Sequence, residues 1–198
     1  MTTELENVRG GLLRAAWGYI FLYFNININQ ISLLPAFVGY ILFLAAIAQL
    51  RCEERGLTLI HTLGVILMLW NAAAWMMSWA GIEITGRWTF VDLIASLINL
   101  YFQFQFVTNL AAIAAKFQPP GHEMDTKLLT YRTWQTVILT AATLLTTVSP
   151  WLSEVWGYAL IVIGVVYLVF GICLIKALFD LRRCVQEPQM EDAAEPRL

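Results

Sequence analysis

The sequence predicts an all-α polytopic membrane protein, a bundle of six transmembrane helices with the N- and C-termini cytoplasmic. Three observations lead there. The 198 residues are 59% hydrophobic and only 13% charged, against roughly 25% charged in soluble domains. A chain of this size has too small an interior to hide that much apolar surface from water. The apolar residues also fall in runs that approach the ~20 residues needed to cross a hydrocarbon core. Finally, the basic residues sort to one side when those runs are threaded up and down.

The runs are 12–24, 31–50, 57–80, 88–116, 128–148 and 155–177. The first is short and contains Arg14. Read as an interfacial helix, it leaves five spans. Next comes Asn25-Ile26-Asn27-Ile28-Asn29-Gln30, whose alternation of polar and apolar residues suits an extended or re-entrant connection. Pro35 falls near the first turn of the second run, where a missing N–H is tolerated. Every connection is short, and the longest runs from Phe117 to Lys127. Residues 1–183 form one transmembrane domain. Residues 184–198 hold Pro188, Pro196 and four acidic side chains, and read as a disordered polar cytoplasmic tail.

With six spans, the inner segments hold Arg9, Arg14, Arg51, Arg55, Lys116, Lys127, Arg132, Lys176, Arg182, Arg183 and Arg197, and the outer loops hold only Arg87. Eleven against one satisfies the positive-inside rule, and Trp88, Trp151 and Trp156 fall near the outer ends as an aromatic belt would. With five spans the count drops to nine against three, so six is preferred.

Several functions are disfavoured. A net charge of −2 offers no nucleic-acid surface. Cys52, Cys173 and Cys184 form no C-x-x-C pair, so neither a zinc site nor a disulfide framework is indicated. Glu4 and Glu6 argue against a cleavable leader. No nucleotide-binding loop, H-E-x-x-H or G-x-S-x-G is present, and no internal repeat is evident. No enzymatic activity and no cofactor are expected. His122, Glu123 and Asp125 sit together after Pro119-Pro120-Gly121, but they read as a solvated turn rather than a metal site.

The chemistry on offer lies in polar ladders. In the fourth run Asp92, Ser96, Asn99 and Gln103 share one helical face. In the fifth, Thr133, Thr136, Thr140, Thr143 and Thr147 do the same. In the third, His61, Gly64, Met68, Asn71, Trp75 and Ser78 form another face. In lipid such faces must meet a helix, a ligand or trapped water. If the three converge, Asn71, Trp75, Ser96, Asn99, Gln103, Thr136, Thr140 and Thr143 would line a cavity for a small hydrogen-bonding solute. The competing reading is plain packing. Threonine hydroxyls bond their own i−4 carbonyls, and Asn and Gln tie helices together. Asp92 and His61 are the candidate proton carriers. Asp92 is equally suited to interfacial water or to Arg87, and His61 to a structural hydrogen bond. Gly157, Gly164 and Gly171 repeat every seven residues, a strip for close helix approach within the chain or against a second protein or copy. Gly11 with Ala15, and Ala111 with Ala115, read the same way.

Tyr23-Phe24-Asn25-Ile26-Asn27 followed by Leu34-Pro35-Ala36-Phe37-Val38-Gly39-Tyr40 resembles the start of an uncharacterised family of small multi-spanning membrane proteins of Gram-positive bacteria, with its L-P-x-x-x-G-Y pattern. The resemblance covers about the first 50 residues and implies a bacterial cytoplasmic membrane. It transfers no functional residue. In architecture alone, six spans in so short a chain are similar to the substrate-binding subunits of energy-coupling-factor vitamin importers. The expectation is a membrane protein that binds a small polar solute, as a transporter or its capture subunit. The alternative is a scaffold, sensor or regulatory subunit with no small-molecule substrate.

Overall fold

The computed structural model describes residues 2–24, 27–28, 31–32, 35–80, 89–119, 121–148 and 155–185. Among them are six helices: α1 (Thr2–Tyr23), α2 (Ala36–Leu50), α3 (Gly56–Trp79), α4 (Thr89–Phe117), α5 (Met124–Val148) and α6 (Val155–Cys184). Between α1 and α2 lie β1 (Asn27–Ile28) and β2 (Ile31–Ser32), an antiparallel pair that matches Asn27 with Ser32 and Ile28 with Ile31. The alternating stretch is therefore extended where it is described.

Element boundaries differ from the apolar runs in ways that local chemistry explains. α1 starts well before Leu12, with Glu4 in its first turn, where a carboxylate suits the partly positive helix end. α2 is shorter than its run. Pro35 stands at the N-cap in an extended conformation (φ −69°, ψ 131°) rather than inside the first turn, and Ile31 and Ser32 belong to β2. α6 continues past Ala177 to Cys184, with Arg182 and Arg183 in its last turn, where cations suit the partly negative end. Cys184 and Val185 are still buried, so the packed domain reaches beyond Arg183. Residues 186–198 of the expected tail lie outside the described residues.

Each helix packs on the next in sequence, and α6 packs on α1, which closes a ring. Neighbours run antiparallel. Across α1 and α2, Gly11 faces Leu50 while Gly18 faces Phe43. Across α3 and α4, Gly56 faces Asn109 while Gly64 faces Phe102. Among the described residues three helices are long and apolar enough to cross a membrane, over Gly56–Trp79, Phe90–Phe117 and Tyr158–Cys184. Their outer surfaces are apolar too. Leu59, Leu69, Phe90, Leu97, Ile161, Val162 and Val165 are each more than half exposed, the inverse of a water-soluble pattern.

Aromatic rings fill the centre. Tyr19 of α1 meets Phe43 of α2 edge-on at 4.9 Å. Phe43 lies 5.1 Å from Phe106 and 5.9 Å from Phe102 of α4. Tyr40 lies 5.8 Å from Phe102. Such pairs contribute about 0.5–1.5 kcal/mol each beyond burial. Below them, toward the start of α1, the packing is dense, with Val8, Leu12, Leu50, Leu57, Ile113, Leu128 and Leu178 buried. Toward the other end the bundle loosens. Among the described residues no side chain is buried in α3 beyond Leu67, α4 before Phe102, α5 beyond Gln135 or α6 before Gly171.

Two glycines set the closest backbone approach between helices. A Cβ on Gly39 would lie 2.9 Å from the Gly18 carbonyl oxygen, and one on Gly18 would lie 2.6 Å from Phe43. Backbone at that distance cannot move aside as a flexible side chain can. Gly39→Ala should therefore lower stability by about 1–3 kcal/mol through overpacking. Gly164→Ala, where a Cβ meets nothing within 4 Å, should leave stability unchanged or raise it, since alanine favours the helix by about 1 kcal/mol. Thermal unfolding of the two variants in one detergent checks both.

Candidate functional site

The polar centre of the bundle is built on α4. Asn99 and Gln103, four residues apart, point to the same side. The Tyr40 hydroxyl of α2 donates to Asn99 Oδ1 at 2.8 Å, and Gln103 Nε2 donates to the same oxygen at 3.5 Å. Gln103 is 4% exposed. Its Nε2 is turned to Asn99, and its Oε1 is buried with no hydrogen-bond partner among the described residues.

On the next helix, Gln135 is also buried and donates to the Tyr23 hydroxyl of α1. Tyr23 in turn packs against Tyr167 of α6, their ring centroids 4.9 Å apart. Gln135 thus reaches across the ring from α5 to α1. Arg132 sits one turn earlier on α5. Its guanidinium lies 4.3 Å over the Phe104 ring, Nη1 donates to Thr108 Oγ1 at 3.0 Å, and Nε is buried without a partner among the described residues. Gln103, Phe104, Arg132, Gln135, Thr136 and Leu139 line one crease between α4 and α5. Its walls stand too close to admit a water-sized sphere, so an occupant must part them.

The structure places the expected site residues unevenly. Asn99 and Gln103 come together, and Thr136 joins Gln103 at the crease. Asn71 turns back on its own helix, with Nδ2 donating to the Leu67 carbonyl at 2.7 Å. Trp75 packs against Phe37 of α2, ring centroids 5.5 Å apart. The hydroxyls of Thr133, Thr136, Thr140 and Thr147 donate to the carbonyls four residues earlier. Thr143 and Ser96 are half-buried. A narrow seam lies between α4 and α5, and Tyr40 of α2 bonds Asn99 of α4. Asp92 is half-buried near the start of α4, and His61 is exposed near the start of α3, toward the opposite end of the bundle. Arg87, the proposed mate of Asp92, lies outside the described residues. Gly171 is buried against the Tyr23 ring, where a Cβ would come within 2.7 Å, so this glycine serves the α1–α6 seam. Gly164 faces open space. Gly157 lies within α6, and its surroundings are not among those described.

The His122-Glu123-Asp125 loop has a structural role. Gln118 Oε1 accepts from the backbone N–H of Met124 and Asp125, at 2.9 and 3.3 Å, and so caps α5. Gln118 Nε2 donates to Asp125 Oδ1 at 3.0 Å, which with the Thr126 backbone N–H holds this carboxyl below its usual value of 3.8. Gly121 adopts φ +91°, open to glycine and strained for other residues.

Tyr40, Thr108, Arg132 and Gln135 were not picked out from sequence. Only Arg132 left a signal, as a charge inside a helix. Comparison with protein-family models, curated proteins and solved structures gives no match.

Tyr40→Phe should lower stability by about 0.5–1.5 kcal/mol, because Asn99 Oδ1 keeps only the long bond from Gln103. Thr140→Val should change it by less than about 0.5 kcal/mol, since that hydroxyl bonds within its own helix. Denaturant titration in mixed micelles compares the two.

Proposed function

We propose that the chain is a polytopic protein of the bacterial cytoplasmic membrane that crosses the bilayer six times, with both termini inside, and binds a small polar solute at the α4–α5 crease. The closed antiparallel ring supports six crossings, because α5 lies between α4 and α6, and the α1–α2 pair lies between α6 and α3, and all three of those flanking helices are long and apolar enough to span. The described basic side chains concentrate toward the end that holds the start of α1, the α2–α3 turn and the end of α6, as an inner face would have them. The resemblance of the first 50 residues to small membrane proteins of Gram-positive bacteria supports the compartment.

One observation carries the solute reading. A buried acceptor, Gln103 Oε1, and a buried donor, Arg132 Nε, belong to residues that line the same crease, and neither has a protein partner among the described residues. Leaving such groups unsatisfied in a low-dielectric interior costs about 1–3 kcal/mol each. A ligand with matching groups removes that penalty. The chain would act as a transporter, or as the capture subunit of one. Uphill transport would draw on an ion gradient or an energised partner, with Asp92 and His61 as its proton carriers.

A scaffold or regulatory subunit is the second reading. It is favoured by the self-bonded threonines and by a crease closed to water.

Gln103→Leu separates the two. If Gln103 serves a ligand, the variant should be as stable as the parent or more so, and a small molecule that co-purifies with the parent should disappear from its mass spectrum. A fall in stability of about 1 kcal/mol or more, with nothing small co-purifying from either protein, would count for the scaffold.

A further inference from the structure

The crease has a chemical sign that the solute reading does not use. Arg132 lies eight residues beyond the start of α5, roughly 12 Å along the helix axis. If α5 crosses the bilayer, this is inside the apolar zone, where an uncompensated cation is costly. Among the described residues no carboxylate pairs with it. The ion pair nearby in chain order, Lys116 with Glu54 at 3.9 Å, belongs to the α2–α3 turn. Arg132 is held instead by a neutral hydroxyl and a phenyl ring. These are weak, exchangeable partners for a guanidinium. To open the wall it forms, its side chain would have to leave Phe104.

The second half of the sign comes from Gln103. Its Nε2 already donates to Asn99, and its atom without a partner among the described residues is the acceptor Oε1. A bare oxyanion would meet the arginine well and repel that carbonyl oxygen. A neutral diol would satisfy the oxygen and leave the charge. The pair asks for negative charge and a donated hydrogen on the same small molecule.

Resting on the solute reading, we infer that the crease takes an oxyanion that carries a hydroxyl beside its charge. Arg132 holds the anionic oxygens and Gln103 Oε1 accepts from the hydroxyl. This chemistry has two sources. One is a free hydroxycarboxylate. The other is the headgroup of phosphatidylglycerol, which carries a phosphodiester charge and glycerol hydroxyls.

The test uses the full chain in phosphatidylcholine nanodiscs. In one arm, thermal stabilisation is titrated with glycolate, with acetate (charge without hydroxyl) and with ethylene glycol (hydroxyls without charge). In the other, nanodiscs doped with phosphatidylglycerol are released in a native mass spectrometer and the retained lipid is counted. Glycolate should bind at least about tenfold tighter than either partial analogue, or phosphatidylglycerol should be retained over phosphatidylcholine, and the arm that responds names the source. Arg132→Gln should abolish the response. Arg132→Lys, which keeps the charge and guards against a folding defect, should retain it in weakened form.

If glycolate gives no shift and phosphatidylglycerol is retained no better than phosphatidylcholine, the inference is overturned. If ethylene glycol binds as well as glycolate and Arg132→Gln does not alter it, the charge requirement is overturned while the solute reading stands. The co-purification measurement on Gln103→Leu presupposes no charge, so it judges the solute reading on its own.

Discussion

The closure of α6 on α1 is the constraint from which the rest follows. Six helices that pack only in sequence would form an open sheet of rods, with one face of α1 and one of α6 bare. The closing seam depends on Gly171, whose missing side chain lets the Tyr23 ring lie against α6. On the other flank, Gly18 and Gly39 bring α1 and α2 to backbone contact. In lipid, apolar surface gains little by leaving one hydrocarbon environment for another, so close fit has to supply the attraction. Small residues on α1, α2 and α6 make that fit possible. Once the ring is shut, Tyr19, Tyr40, Phe43, Phe102 and Phe106 have nowhere to go but the middle, and they plug it.

A plugged centre changes the meaning of every polar group around it. In a bilayer, each donor and acceptor there needs a partner inside the bundle. The α5 threonines solve this alone, through the carbonyls of their own helix. Asn99 is satisfied from across the ring by Tyr40, and Gln135 finds Tyr23. Among the described residues, those left short include Tyr19 in the centre and Gln103 on α4, and beside Gln103 along the seam is Arg132, held by a hydroxyl and a phenyl ring. The bundle is tightly built below this level and loose above it. Local opening of α4 from α5 therefore disturbs little buried surface on the loose side. The crease is closed where the helices meet, and its walls include a long side chain with four rotatable bonds.

Much of this was legible in the chain itself. Six helices could be placed to within a few residues at most ends, because long apolar runs leave few alternatives. The alternation at 25–30 announced extended backbone, seen in β1 at 27–28, while β2 falls in the stretch expected to begin the second span. The helix ends that moved did so for local reasons. α1 and α6 extend into charged residues because carboxylates and guanidinia suit the helix ends they occupy. α2 starts after Pro35. The candidate site was half legible. Asn99 and Gln103 share a face by spacing alone, and the structure joins them. Asn71 and Trp75 share a face too, yet one bonds its own helix and the other packs on α2. Spacing says which side chains travel together, but not which neighbour they meet.

The order of apolar runs, the excess of basic residues in alternate segments and the 3.6-residue spacing of the polar ladders are properties of the sequence alone. They determined a helical membrane-type chain with a polar stripe on its fourth helix. They did so because burial and helical periodicity act residue by residue along the chain. What tertiary structure decided was partnership: Tyr40 with Asn99, Arg132 with Thr108 and Phe104, Gln135 with Tyr23, α6 with α1. These pairs lie 24 to 112 residues apart wherever hydrogen bonds make them. No local pattern encodes such pairs, because they arise only when the packing of one helix fixes the rotation of the next.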